Sequence, residues 1–204
     1  MSDLLVLVPD KNFEYGISGL LQRDRDLNIR PITTKILRHP EHDSGIVNNS
    51  VEIVRPYLSD YRYLLVFFDF DECGRENQLP EVVQGAIKSE LNRNGWQDRC
   101  EIIAIIPELE QWVWLYSDEM AQIINWTNFN VLKRWLIASG RCEPDAPKPS
   151  RPKEAFEAAL KQKQIPRSSA IYRKIAGSVN WRHCQDSEFV RFTQVLQTWF
   201  PREE

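Results

Sequence analysis

A run of apolar residues at 64–68 (Leu, Leu, Val, Phe, Phe) stops abruptly at Asp69-Phe70-Asp71. A run so short, aromatic-rich and bounded by polar residues reads as a buried strand. Charge is not tolerated along the inside of such a strand. Two carboxylates at its carboxyl end therefore lie where α/β sheets open into a crevice. Two anions that close repel each other unless a proton or a cation neutralises them. The plainer alternative is a loop whose aspartates cap the next helix.

Comparable runs stand at 4–8, near 30–37 and at 100–106, and helical patterns fill the intervals. Phe13, Ile17, Leu20 and Leu21 mark one helix face, with Asn12 as its N-cap. The segment 38–45 has no period and reads as loop. Val47, Val51, Val54 and Leu58 mark a second helix, which Pro56 ends or kinks. Pro80 suits the first turn of a third, which runs to about Arg93 and is stopped by Asn94-Gly95. A helix from Glu108 through Ile123 follows, then another over 131–138. Strands this apolar, alternating with helices, predict an α/β fold: one mainly parallel sheet with helices on both faces. Residues 143–152 hold four prolines and form a stiff connector. The chain divides into a core over 1–142, that connector, and a helical C-terminal extension over 153–204 packing on the core. The extension's helices fall at about 153–163, 168–178 and 186–199.

Composition removes several classes. A hydrophobic content of 42% beside 27% charged residues is that of a globular chain rather than a disordered one. No window approaches the roughly 18 apolar residues that a membrane span requires. The start of the chain lacks a basic stretch followed by a long apolar one, so the expectation is a cytoplasmic protein with no membrane partner. The four cysteines lack metal-ligand spacing and read as reduced thiols. The net charge of −3 hides an asymmetry: between Arg151 and Arg191 nine Lys/Arg face four Asp/Glu. An acidic core against a basic C-terminal part is compatible with metal and phosphate lying between them.

Acid follows three of the four strands: Asp10 and Glu14, Asp69 and Asp71, then Glu108 and Glu110. In a parallel sheet these ends emerge along one edge. Each acid alone suits the first turn of a helix, but together they need a counter-ion. Oxygen-only ligands favour Mg2+ or Mn2+ over zinc. A calcium loop of the form D-x-D-x-D-G fails, because its twelfth position is Pro80 and Cys73 stands where an oxygen ligand is needed. Haloacid-dehalogenase-like phosphatases also carry D-x-D after a strand, usually nearer the N-terminus, and remain a weaker alternative.

The residues resemble a Toprim-like group of bacterial proteins often encoded near anti-phage defence genes. Members open with a strand followed by E-G-x-[TS]-E, then show a strand ending D-x-D and a later [IL]-E-x-W. Here these are Asp10-Lys11-Asn12-Phe13-Glu14, Asp69-Phe70-Asp71 and Leu109-Glu110-Gln111-Trp112. Arg151-Pro152-Lys153, Tyr172-x-Lys174, Cys184 and Phe189 extend the resemblance through the C-terminal third. It implies a Mg2+- or Mn2+-dependent nuclease or related phosphoryl-transfer enzyme in antiviral defence. Asp69, Asp71 and Glu110 would serve the metal, Glu14 or Asp10 would be the acid/base, and Lys153, Arg173 and Lys174 would contact nucleic-acid phosphate. The pattern departs at its head, where Asp10 replaces Glu and Lys11 replaces Gly. That departure keeps a second reading open: a non-catalytic subunit docking a defence-system partner, such as an ATPase, through exposed aromatics. Trp112, Trp114, Trp126 and Trp135 are either that surface or ordinary core.

Overall fold

A computed structural model describes residues 1–115, 117–181 and 184–202. Four strands, β1 (Ser2–Val8), β2 (Thr34–Arg38), β3 (Tyr61–Asp69) and β4 (Cys100–Ile105), form one sheet in the order β2-β1-β3-β4. All three pairings are parallel, with Leu5 opposite both Lys35 and Leu64, and Leu64 opposite Cys100. The run ending in Asp69 is therefore internal, flanked by β1 and β4. Alternate side chains serve two cores, as the period of two in a strand requires. Leu4, Val6, Val8, Leu65 and Phe67 enter one cluster, and Leu5, Leu7, Leu64, Val66 and Phe68 enter the other.

The helices divide accordingly. On the first face lie α1 (Lys11–Leu21), the short α5 (Glu110–Val113) and α8 (Pro152–Gln162), α9 (Ser169–Ser178) and α10 (Ser187–Trp199) of the C-terminal part. The second face is covered by α3 (His42–Val54) and α4 (Pro80–Leu91). The remaining helices are α2 (Asp24–Leu27), α6 (Asp118–Ile123) and α7 (Phe129–Ala138). Helices α1 and α9 lie close, because a Cβ on Gly19 would stand 2.8 Å from the Arg173 carbonyl. The C-terminal helices share one continuous core with the strands: Phe156, Phe192 and Phe200 belong to the same cluster as Val6 and Phe67. At the β4 edge Arg191 of α10 donates to the Ile102 carbonyl and pairs with Glu101 and Glu188. That ion-pair set blunts an edge that would otherwise offer unpaired backbone.

Several boundaries differ from the sequence expectation. The second strand begins at Thr34 rather than near 30, since Pro31 has no N–H to give a ladder and the Arg30 amide bonds to Phe200. Asp10, not Asn12, caps α1, accepting the Phe13 amide at 2.9 Å, while Asn12 takes the Ser169 hydroxyl. Helix α3 starts at His42, inside the expected loop. Its first turn is polar and closes on the His39 ring, where a Cβ on Gly45 would come within 2.2 Å. The helix expected from Glu108 to Ile123 is broken into α5 and α6. Trp114 turns inward to donate to the Pro152 carbonyl, and Ser117 caps the restart. Trp112, Trp114 and Trp126 are buried and Trp135 is half-buried against them, so these aromatics build core and not an exposed docking face. Pro56 does end its helix, and Pro80 opens α4 as expected. Among the described residues no helix is long and apolar enough to cross a membrane.

Candidate functional site

The chain leaves β1 toward β2 on one side, and leaves β3 toward β4 on the other. The carboxyl ends of β1 and β3 thus flank a topological switch point, where open α/β sheets form a ligand crevice. Asp10 closes β1 and Asp69 closes β3. The Asp69 Oδ1 is buried and has no hydrogen-bond partner among the described residues. An uncompensated carboxylate oxygen is costly, and native folds retain few. Burial first, and then the charges of Asp43, Glu110, Glu108 and Asp10, push the Asp69 carboxyl well above the ordinary range.

Asp43 comes from the first turn of α3. Its Oδ1 accepts the Asp69 amide at 2.7 Å, which ties the second-face helix to the end of β3. Burial raises the Asp43 pKa to about 6, with Asp10 and Glu72 adding to the push. Sequence reading missed this residue, because segment 38–45 carries no apolar period. An acid just ahead of the run Ile46-Val47 was the available signal.

The acids after β4 have partners. Glu108, 8% exposed, accepts the Lys153 amide at 2.8 Å and so holds the start of α8. Burial pushes it up to about 7, against the pull of that amide. Glu110, 2% exposed, accepts the Tyr172 hydroxyl and stands 3.0 Å from Arg167. Burial raises its pKa in spite of both donors.

The other expected residues are spread around this centre. Glu14 is half-buried and pairs with Arg38 at 3.1 Å. Asp71 is exposed; its amide bonds to the Pro107 carbonyl, and its carboxyl is raised by burial and by Glu76, Glu72 and Glu154. The charges that raise Asp69 are those of Asp43, Glu110, Glu108 and Asp10, rather than the expected Glu14 and Asp71. Lys153 reaches the rim, its Nζ 3.3 Å from Glu72 and 3.8 Å from Glu108. Arg173 and Lys174 are exposed on α9. Lys11 lies over the Tyr15 ring.

Among the described residues no three His, Cys, Asp or Glu side chains make a ready metal cage. Mg2+ does not need one, since it is commonly held by one or two carboxylates with water and substrate oxygens completing the shell. An orphaned carboxylate oxygen within an all-oxygen donor set fits that ion. What the fold and site define is a parallel α/β sheet of order 2-1-3-4 with acidic side chains at its switch point. Comparison with known proteins adds no relative, as no family model, curated protein or solved structure matches the chain.

Proposed function

We propose that the crevice is a divalent-cation-dependent phosphoryl-transfer site of the Toprim type, acting as a nuclease in antiviral defence. The observation that carries this reading is Asp69: half-buried, with a buried Oδ1 that has no partner among the described residues, and raised by the charges of four further carboxyls. Burying unlike groups together is ordinary; burying like charges without compensation marks a site whose ligand balances them. Mg2+ or Mn2+ would supply Lewis-acid polarisation of a phosphoryl oxygen and an activated water. Asp69 would hold the ion with a second carboxylate. Lys153, at the rim, would orient a phosphate by charge alone, without reading sequence. Proton transfer falls to Asp10 or Glu14, and each must first leave its present bond, to the Phe13 amide or to Arg38.

The second reading, a non-catalytic subunit, is favoured by those same bonds. Glu14 and Glu110, two of the acids that the Toprim resemblance assigns to chemistry, are both matched to an arginine. With the tryptophans inside, such a subunit would dock its partner by other means than an aromatic surface. The haloacid-dehalogenase-like alternative has no separate observation in its favour.

One experiment separates the two. The protein is titrated with Mn2+ by calorimetry and assayed with Mn2+ on single- and double-stranded DNA and RNA. Binding and cleavage that disappear in Asp69→Asn, with Glu14→Gln or Asp10→Asn slowing cleavage about 10²–10⁴-fold, support the enzyme. Wild-type protein that binds Mn2+ but cleaves none of these substrates would leave the docking subunit.

A further inference from the structure

The Toprim resemblance pairs Asp69 with Asp71, two residues on in sequence, but the fold separates their surroundings. Asp71 turns outward beside the Pro107 carbonyl, among Glu72, Glu76 and Glu154. Asp43, 26 residues before Asp69 in the chain, enters from the opposite face. Its Oδ1 lies 2.7 Å from the Asp69 amide nitrogen, so the two carboxyls occupy the same end of β3. We propose that Asp43, and not Asp71, is the second carboxylate of the cation site that Asp69 centres, with Asp10 facing both from the end of β1.

The geometry of the crossover supports this. The connection from β2 to β3 carries α3 across the second face, and its first turn arrives at the carboxyl edge beside the switch point. A helix start at that place is where an α/β sheet contributes side chains to a ligand. The amide bond from Asp69 fixes one Asp43 oxygen in place. The buried Asp69 Oδ1, which has no partner among the described residues, is the independent sign that a ligand belongs there. Capping alone would explain Asp43 but would leave that atom unexplained. A cation shared by the two carboxylates explains both. It would also link the two helical layers through the sheet edge, because Asp43 belongs to the second face and Asp10 caps a helix of the first.

The inference rests on the cation reading proposed above, and its test tells the two apart. Mn2+ binding to the full chain is measured by calorimetry and by the loss of the free-ion paramagnetic resonance signal, on wild type, Asp43→Asn, Asp69→Asn and Asp71→Asn. Asparagine at 43 still accepts the Asp69 amide, so the fold keeps its tie while the charge goes. Asp43→Asn and Asp69→Asn should each weaken Mn2+ by more than about 10-fold, and Asp71→Asn by less than about 3-fold, since a rim charge acts only through screened distance. Wild-type binding that survives in Asp43→Asn, or that falls as far in Asp71→Asn, overturns Asp43 while leaving the cation reading in place. No Mn2+ binding by wild type overturns both. If Asp43→Asn does not fold, Fe2+ with ascorbate and peroxide on the wild-type chain gives a second test. Radical cleavage near residue 43 as well as near 69 is expected, and cuts confined to 71–76 and 154 would overturn the assignment.

Discussion

Two groups of acids share the carboxyl edge of the sheet, and the fold treats them in opposite ways. After β4, Glu108 and Glu110 are buried and answered: one by the Lys153 amide, the other by Tyr172 and Arg167. At the end of β3, the Oδ1 of half-buried Asp69 is itself buried and unanswered among the described residues, and the charges that bear on it, Asp43 foremost, are themselves acids. A carboxylate matched by donors pins structure, and here it fastens α8 and α9 of the C-terminal part to the sheet. One that is left unmatched weakens the free protein, a cost that the proposed cation would relieve. Burial alone does not distinguish them; the donor inventory does.

The largest effect that would break this contrast is at Glu110. Removing Glu110 strands the buried Tyr172 hydroxyl and takes one of two carboxylates from the part-exposed Arg167, which keeps Glu157, so Glu110→Ala should cost about 2–4 kcal/mol in urea unfolding. A loss below about 1 kcal/mol would place Glu110 with Asp69 as an acid that the fold does not need.

The next effect is in pH. Asp43 rises from 3.8 to about 6 in the folded protein, so the metal-free fold binds a proton that the unfolded chain has released. Stability from this group is complete below pH 4 and is lost as pH climbs through 6. At about 1.4 kcal/mol per unit, the change is about 3 kcal/mol. Glu108, held near 7, adds a drop of the same sign that ends about a unit later. Metal-free melting temperature should therefore fall between about pH 4 and 7, and the fall should shrink in Asp43→Asn. A flat profile would mean that these carboxyls are already balanced.

A smaller change of opposite sign is expected at Asp69. Asp69→Asn removes like-charge repulsion, so the metal-free melting temperature at pH 8 should stay the same or rise. A clear fall would make Asp69 a structural cap after all. The smallest effect belongs to Lys153→Met, whose contact with exposed Glu72 is worth about 0–1 kcal/mol. If the mutant binds nucleic acid at all, the slope of log affinity against log salt should drop by about 0.7–0.9. An unchanged slope would remove Lys153 from phosphate contact.

The sequence by itself determined the sheet and one end of the site. Runs at 4–8, 64–68 and 100–106 were too apolar to have a wet face, which required parallel strands between helix layers. Pro56, Pro80 and Asn94-Gly95 set helix limits through dihedral restrictions that act within a few residues. Asp69 was legible for the same reason, since a charge directly after a buried strand has only the sheet edge to occupy. Only the tertiary structure decided which acids join it. Asp71 is two residues away but turns outward, whereas Asp43 is 26 residues away and its carboxyl accepts the Asp69 amide. Whether Glu110 met a metal or an arginine depended on the segment that leads into α9, which brings Arg167 and Tyr172 to it from 57 and 62 positions away. Local pattern reports what a residue's own segment buries. The partner that neutralises a charge is delivered by a different segment, and the crossover and helix packing choose it.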